Sequence, residues 1–194
     1  MAYLSSVIVI LASVPYVVNV VKKRVKPERI SWLLWTMLGA TYFAGAIQSD
    51  GVIIFALADL LASTVTFILS FKYGVGGKSR FDRICLAVAI VAFILLLVAD
   101  NILYGLILAI FVDAIGSMLT IRKLLKDRTS EPKMIWGLYI IAASLAIAAL
   151  DNFSFESLLF PVYVIVIDSV IFLIAKSSKG IKSSRAETRA IEEL

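Results

Sequence analysis

Long apolar runs alternate along this chain with short clusters of charged and turn-forming residues. A helix that crosses a bilayer needs about 20 mostly apolar residues, and tilt or a thinner bilayer accommodates slightly shorter runs. Runs of this kind predict seven transmembrane helices, and the whole chain is expected to be an all-α polytopic membrane protein. The predicted spans cover residues 3–21, 30–47, 52–71, 84–99, 102–121, 134–150 and 158–175.

Composition supports this class of protein. Of the 194 residues, 61% are hydrophobic and 17% are charged, and the mean hydropathy is +0.97. These values exclude an ordinary soluble domain and a disordered chain. The one cysteine, Cys85, cannot form a disulfide within the chain, and the absence of histidine removes the commonest metal ligand and general base. We therefore expect no metal, no cofactor, no nucleic-acid partner and no enzymatic activity.

Basic residues follow every second predicted span. All 19 lysine and arginine residues lie within 22–29, 72–83, 122–133 and 176–189. By the positive-inside rule, this pattern predicts an outside N-terminus and a cytoplasmic C-terminus in a plasma (inner) membrane, with residues 177–194 as a polar cytoplasmic tail. The connections on the opposite side carry only acidic charges, at Asp50, Asp100, Asp151 and Glu156.

An internal repeat relates spans 1–3 to spans 5–7. Pro27 precedes Trp32 and Trp35, and Pro132 precedes Trp136 and Tyr139 with the same spacing of three between the aromatics. Acidic residues recur as well, because Asp50 and Asp151 follow the helices that carry these aromatics, and Asp59 and Asp168 lie near the middle of the next helices.

The repeat predicts a 3+1+3 arrangement of two parallel three-helix bundles, with an uncharged linker helix restoring the direction of the second copy. The first bundle is expected at 1–73, the basic loop and linker helix at 74–100, and the second bundle at 101–176. Transporters built from parallel repeats bind their substrate between the repeats. Small residues, among them Gly39 and Gly137, predict close helix packing within each bundle.

The stretch Pro15-Tyr16-Val17-Val18-Asn19, the basic run up to Lys26, and Ser31 resemble the PQ-loop pattern. The seven-helix layout is similar to that of the SWEET transporters of the same superfamily, up to about residue 176. Tyr16 stands where the family has Gln, and the second copy lacks the Pro. The resemblance implies alternating-access transport of a small polar solute such as a sugar, an amino acid or a vitamin. PnuC-type nicotinamide riboside carriers share the layout and provide the alternative substrate class.

Asp59, Asp113 and Asp168 lie near the centres of spans 3, 5 and 7. An aspartate at the bilayer centre costs about 2.5–3.5 kcal/mol on insertion scales, so these side chains are expected to face a polar interior. No lysine or arginine lies at comparable depth. Protonation, hydrogen bonding or a cationic substrate can compensate the charge. We predict that the three residues line the solute pathway and open the option of proton coupling; the alternative is that they are neutral acids that tie helices together.

Four further residues complete the predicted site. Pro15 interrupts span 1 and is either a hinge or a simple kink, and Asn19 lies one turn further along the same face. Trp35 and Tyr139 are either ring-stacking side chains for a solute or part of an aromatic belt, together with Trp32 and Trp136, at the lipid–water interface.

Two other functional classes are weighed against a transporter. An intramembrane aspartyl protease would use two carboxyl groups, but Asp59 and Asp113 lack the Tyr-Asp and Gly-x-Gly-Asp contexts of those enzymes. A non-transporting adaptor or receptor remains an alternative. The preferred hypothesis is a transporter of a small polar solute, with the lipid bilayer as its surroundings, protons as possible co-substrates and homo-oligomer formation left open.

Overall fold

The computed structural model describes residues 2–48, 53–150 and 152–175 of the chain. The described part consists of seven helices and their connections and contains no strand, which confirms the all-α class. Asp50, Asp151 and the predicted tail at 177–194 lie outside the described residues. The helices are α1 (Ala2–Val21), α2 (Arg29–Gln48), α3 (Ile53–Tyr73), α4 (Arg80–Leu97), α5 (Ile102–Lys126), α6 (Lys133–Ala148) and α7 (Phe155–Ile174).

Helix ends differ from the predicted spans where polar caps extend a helix beyond its apolar run. The predicted span at 84–99 begins at Arg80, because Ser79 and Asp82 form a reciprocal capping box at the start of α4. The predicted span at 158–175 begins at Phe155, because Ser154 Oγ accepts a hydrogen bond from Ser157 N at 3.1 Å. Hydropathy therefore locates the apolar part of each helix, whereas capping side chains locate its ends.

Four helical segments are long and apolar enough to cross a membrane: Arg29–Ile47, Ala56–Tyr73, Ile102–Lys126 and Phe155–Ile174. Two shorter apolar segments accompany them, Ile10–Val21 and Lys133–Ala148. Large apolar side chains also cover the outside of the molecule, and Leu173, for example, is 77% exposed. Such a surface is stable in lipid and unstable in water. A membrane location is therefore plausible.

Six of the helices pack as a closed ring in the order α1, α3, α2, α5, α7 and α6. The remaining helix, α4, packs against α5 and, over a smaller area, against α2. Buried side chains including Leu34, Ala89, Val112 and Leu119 hold α4 to these two helices. The ring leaves an interior between its helices, and α4 lies on its outer side.

Glycines allow close approach at two helix contacts of the ring. A Cβ atom on Gly39 of α2 would lie 3.4 Å from Leu60 Cα of α3, and one on Gly137 of α6 would lie 3.3 Å from the Phe172 ring of α7. The distance at Gly137 is tighter than ordinary van der Waals contact, so an added Cβ would displace the Phe172 ring, whereas the distance at Gly39 is ordinary contact. Both glycines lie at close helix contacts, as predicted.

Three basic connections meet at one end of the bundle, which we call the basic end. Val75 N donates to Pro27 O and Arg29 N donates to Val75 O, both at 2.9 Å. Lys26 N donates to Ser130 O at 3.2 Å. These hydrogen bonds join the connections that follow α1, α3 and α5, so the basic clusters share one end, as the charge pattern predicted.

Candidate functional site

A cavity of about 840 Å³ lies inside the ring of helices. It extends from the buried rings of Trp32 and Trp136, toward the basic end, to the first turns of α5 and α7 at the opposite end. Ile102 and Glu156, which line the cavity at these first turns, are exposed. Among the described lining residues, those toward the basic end are buried or half-buried, and the exposed ones lie toward the opposite end.

Five of the residues singled out from the sequence line this one cavity: Trp35, Asp59, Asp113, Tyr139 and Asp168. Each comes from a different helix, namely α2, α3, α5, α6 and α7. The convergence of the three aspartates agrees with the expectation that charged groups of membrane helices face the interior.

Asn19 and Pro15 are not among the described residues that line the cavity. Both belong to α1, which continues through Pro15 to Val21. The carbonyl oxygen of Asn19 accepts hydrogen bonds from Arg24 N at 2.9 Å and from Val25 N at 3.3 Å, and so closes the end of this helix. These bonds involve only the backbone of Asn19, so the role of its side chain in solute binding and the hinge at Pro15 both stay predictions.

Asp113 is held in place by protein hydrogen bonds. Its Oδ2 atom accepts a hydrogen bond from the Tyr163 hydroxyl at 2.7 Å and another from Ser117 Oγ at 3.2 Å. Ser117 lies one turn further along the same helix, whereas Tyr163 comes from α7. This carboxylate therefore joins α5 to α7, which is the helix-tying role weighed as its alternative.

Asp59 and Asp168 differ from Asp113 in their surroundings. Among the described residues, no donor forms a hydrogen bond with either carboxylate. Asp168 is only 6% exposed, and Asp59 lies against the backbone of Gly39, where an added Cβ would come within 3.6 Å of Asp59 Oδ2. Two carboxylates thus point into the cavity with their oxygen atoms available.

The cavity lining is acidic. Glu156 adds a fourth carboxylate to the three aspartates, and the described lining residues include no lysine or arginine. The ion pairs found in the described part of the chain join Lys26 to Asp127, Arg122 to Asp82 and Lys123 to Glu131. All of them belong to the basic end, so Asp59, Asp113 and Asp168 have no ion-pair partner among the described residues.

Aromatic rings close the deep end of the cavity; we call Trp32, Trp35, Trp136 and Tyr139 the aromatic cluster. Neighbouring ring centroids lie 5.0 Å apart for Trp32 and Trp35, 5.9 Å for Trp35 and Trp136, and 6.4 Å for Trp136 and Tyr139. Trp32 is 5% exposed and Trp136 is 4% exposed. Since both are buried, the aromatic-belt interpretation is wrong for these two residues.

A buried polar network lies behind the aromatic cluster; we call Tyr16, Lys123 and Glu131 the Glu131 network. Tyr16, whose ring packs on Trp32 at 5.0 Å, donates to Glu131 Oε1 at 2.9 Å. Lys123 Nζ pairs with the same oxygen and donates to Lys26 O at 2.8 Å. Burial raises the pKa of Glu131, while the Lys123 ammonium and the Tyr16 hydroxyl oppose that rise. The network joins α1, α5 and the connection before α6.

A second buried glutamate, Glu28, binds Ser31 at the start of α2, and Ser31 joins α2 to α5 at the same end. Glu28 Oε2 accepts hydrogen bonds from Ser31 N at 2.6 Å and from Ser31 Oγ at 2.9 Å. Ser31 Oγ also lies 2.6 Å from Gly116 O and 3.0 Å from Thr120 Oγ1. Burial raises the pKa of Glu28, and the hydrogen bonds from Ser31 partly offset the rise.

Reasoning from the sequence missed both glutamates and treated Lys123 only as part of a basic cluster. One signal was present. Glu28 follows Pro27 and Glu131 precedes Pro132, so each copy of the repeat carries one acid beside its proline within a basic connection. A single acidic residue repeated in that position indicates a specific pairing partner rather than a solvated charge.

Comparison with known proteins finds no match among family models, curated proteins or solved structures.

Proposed function

We propose that this chain is an alternating-access transporter of a small polar solute, with seven membrane spans in the 3+1+3 arrangement and an architecture like that of the SWEET transporters. The observation that carries the proposal is the acidic and aromatic cavity, which is closed at the basic end and extends to exposed residues at the other. Proton coupling is part of the proposal, because Asp59 and Asp168 can hold protons within the pathway.

The packing of the helices supports two equivalent halves. The contacts of α1 and α2 with α3 correspond to the contacts of α5 and α6 with α7. The contacts between the halves correspond as well, because α1 packs against α6 and α5 packs against α2. These correspondences are those expected of a pseudo-two-fold axis that relates the first three helices to the last three, with α4 as the linker.

The closure of the cavity supports alternating access. A transporter of this kind exposes its site to one side at a time. Here the aromatic cluster and the Glu131 network lie between the cavity and the basic end, which the positive-inside rule assigns to the cytoplasm. We therefore propose an outward-facing state in a plasma (inner) membrane, with the N-terminus outside.

Orientation is tested by labelling single cysteines with a membrane-impermeant thiol reagent after Cys85→Ser removes the native cysteine. Lys78 lies at the basic end and Asp100 at the opposite end, and both are exposed. We expect Asp100→Cys to be labelled in intact cells and Lys78→Cys to be labelled only after permeabilisation. The reverse pattern would overturn the proposed orientation.

Transport is tested with purified protein in liposomes and a panel of labelled sugars, amino acids, nucleosides, vitamins and amines. The blocking variant is Gly45→Trp, because Gly45 lines the cavity and an added Cβ there meets no atom within 4 Å. The matched control is Ala40→Trp on the exposed side of the same helix. Uptake that Gly45→Trp abolishes and Ala40→Trp preserves supports a transporter. If no solute of the panel is taken up, the adaptor or receptor alternative replaces it.

The intramembrane acids provide the second test of transport. We expect Asp59→Asn and Asp168→Asn to remove uptake or its dependence on a proton gradient while the protein remains folded and monodisperse. Uptake with unchanged rate and unchanged proton dependence in both variants would show that these acids are structural. A PnuC-like carrier would be distinguished by uptake of nucleosides or vitamins in place of sugars.

A further inference from the structure

We propose that the cavity selects a protonated organic amine with an apolar body, whose ammonium group binds Asp59 and Asp168 and whose body lies against Trp35 and Tyr139. This inference rests on the proposed transport function and specifies its substrate class. It replaces the neutral sugar that the family resemblance favours.

The unpaired charge of the cavity is the first argument. Its described lining carries four carboxylates and no lysine or arginine. Carboxylates removed from water are stable only when they are paired, hydrogen-bonded or protonated. A ligand that brings a positive charge supplies the counter-ion that the protein itself does not place there.

The hydrogen-bonding capacity of the cavity is the second argument. The serine and threonine hydroxyl groups of the lining already donate hydrogen bonds to other protein atoms. Thr41 Oγ1 donates to Leu38 O at 2.7 Å, Ser63 Oγ to Asp59 O at 2.9 Å, Ser117 Oγ to Asp113 Oδ2 at 3.2 Å and Ser157 Oγ to Asn152 O at 3.0 Å. These serine and threonine hydroxyls are engaged, and the indole N–H groups of Trp32 and Trp136 in the lining have no hydrogen-bond partner among the described residues. An ammonium group needs acceptors only, and the lining carboxylates supply them.

The difference between the three aspartates locates the ammonium group. The Asp113 carboxylate already accepts hydrogen bonds from Tyr163 and Ser117. Asp59 and Asp168 have no donor among the described residues, and Asp168 is 6% exposed although it lines the cavity. Each of these two carboxylates can accept an N–H bond from an ammonium group.

The aromatic cluster provides the surface for the rest of the ligand. Trp35 and Tyr139 line the cavity together with the aspartates. Aromatic faces attract cations and pack well against apolar groups. A ligand with a cationic head and an apolar or aromatic body matches both features, whereas an inorganic cation would leave the aromatic wall unused.

The test compares phenethylamine, which is protonated at neutral pH, with phenethyl alcohol, its neutral counterpart. Binding to purified protein is measured by calorimetry, and uptake is measured in liposomes. We expect the alcohol to bind at least about tenfold more weakly than the amine, the ratio that corresponds to losing one good charged hydrogen bond. Equal binding of the two compounds would overturn the proposal.

Variants identify the recognising carboxylates. Asp168→Asn and Asp59→Asn are nearly isosteric and are each expected to weaken amine binding by at least about tenfold. Asp100→Asn, which removes an exposed acid at the same end of the molecule that is not among the lining residues, is the matched control and is expected to change amine binding little. If one of the variants at Asp59 and Asp168 fails to fold, the other decides; amine binding that survives in a folded variant of either residue overturns the proposal.

The two proposals can fail separately. If neutral solutes are taken up and blocked by Gly45→Trp but phenethylamine does not bind, transport stands and the amine proposal falls. If phenethylamine binds in an Asp168-dependent manner but no solute crosses the liposome membrane, the amine site stands as that of a receptor and the transport proposal falls.

Discussion

The hydroxyl group of Tyr16 donates a 2.9 Å hydrogen bond to the carboxylate of Glu131, across 115 positions of the chain. Both side chains are 1% exposed. The bond ties α1 to the connection before α6, directly behind the aromatic rings that close the cavity. Tyr16 thus supplies a hydroxyl donor for a buried acid.

Replacing Tyr16 by Phe removes one donor from a buried carboxylate and leaves Lys123 as its partner. A buried acceptor that loses a hydrogen bond costs about 1–3 kcal/mol, so Tyr16→Phe is expected to lower the apparent melting temperature in detergent by several degrees. Tyr104→Phe is the control, because Tyr104 is 67% exposed. Equal melting temperatures for the two variants would contradict a stabilising role of the bond.

Replacing Lys123 by Met leaves Glu131 buried without its cation. Breaking a buried ion pair from one side costs about 3–5 kcal/mol, whereas replacing both partners by apolar residues is often close to neutral. We therefore expect Lys123→Met to be strongly destabilising and the double variant Lys123→Met/Glu131→Met to recover part of the loss. Thermal unfolding of the two single variants and the double variant measures the coupling, and additive effects would show that the pair does not act as a unit.

Asp82 makes stability depend on acidic pH. Partial burial opposes its ionisation, but hydrogen bonds from Ser79 and the charge of Arg122, whose Nη1 atom lies 2.8 Å from Asp82 Oδ1, outweigh this effect and lower the pKa of Asp82. A lowered pKa means that the folded state binds the proton less well than the unfolded state. The stabilisation is therefore complete above the unfolded pKa of about 3.9 and is lost as pH falls through the folded value.

The variant Asp82→Asn tests this dependence. We expect it to lower stability by roughly 1 kcal/mol at neutral pH and by progressively less as pH falls below about 4. Melting temperatures of both proteins are measured over this range. Asp127, whose pKa is lowered mainly by its hydrogen bond from Thr129, titrates in the same window in both proteins and cancels in the comparison. A difference that stays constant with pH would contradict the assignment.

Position 76 requires glycine for two reasons, its backbone conformation and the lack of space for a Cβ atom. Its φ is +85°, and a Cβ there would lie 1.8 Å from Glu28 Oε1. Gly76→Ala is expected to destabilise the protein by about 2 kcal/mol or more, because the strained backbone adds to displacement of a buried carboxylate. Gly77 has φ +81°, and an added Cβ there would lie 3.6 Å from the nearest atom. Its replacement therefore tests backbone strain without a steric clash.

Melting temperatures of three alanine variants check this prediction. Gly77→Ala should show a smaller loss than Gly76→Ala, since it has the strain without the clash. Gly45→Ala, in a helix and with open space around its Cβ, should be neutral or stabilising by up to about 1 kcal/mol. Equal losses at Gly76 and Gly77 would show that contact with Glu28 is unimportant.

Helix positions could be predicted because the requirement is local. A span must keep about 20 apolar residues together, and α2 therefore begins and ends within a residue of its predicted bounds of 30 and 47. The start of α4 was misplaced because the capping side chains of Ser79 and Asp82 act outside the apolar run. Hydropathy carries no information about such polar hydrogen bonds.

The sequence by itself predicted that Asp59, Asp113 and Asp168 face an interior, because a charged group that faces lipid is costly near the centre of a span, and all three line the cavity. Only the tertiary structure decided that Asp113 accepts a hydrogen bond from Tyr163 while the oxygen atoms of Asp59 and Asp168 remain available. It also decided that Lys123 and Tyr16 both contact Glu131. Burial in a bilayer depends on the local run of residues, whereas hydrogen-bond pairing depends on which distant helices approach one another. That approach is set by the packing of the whole ring.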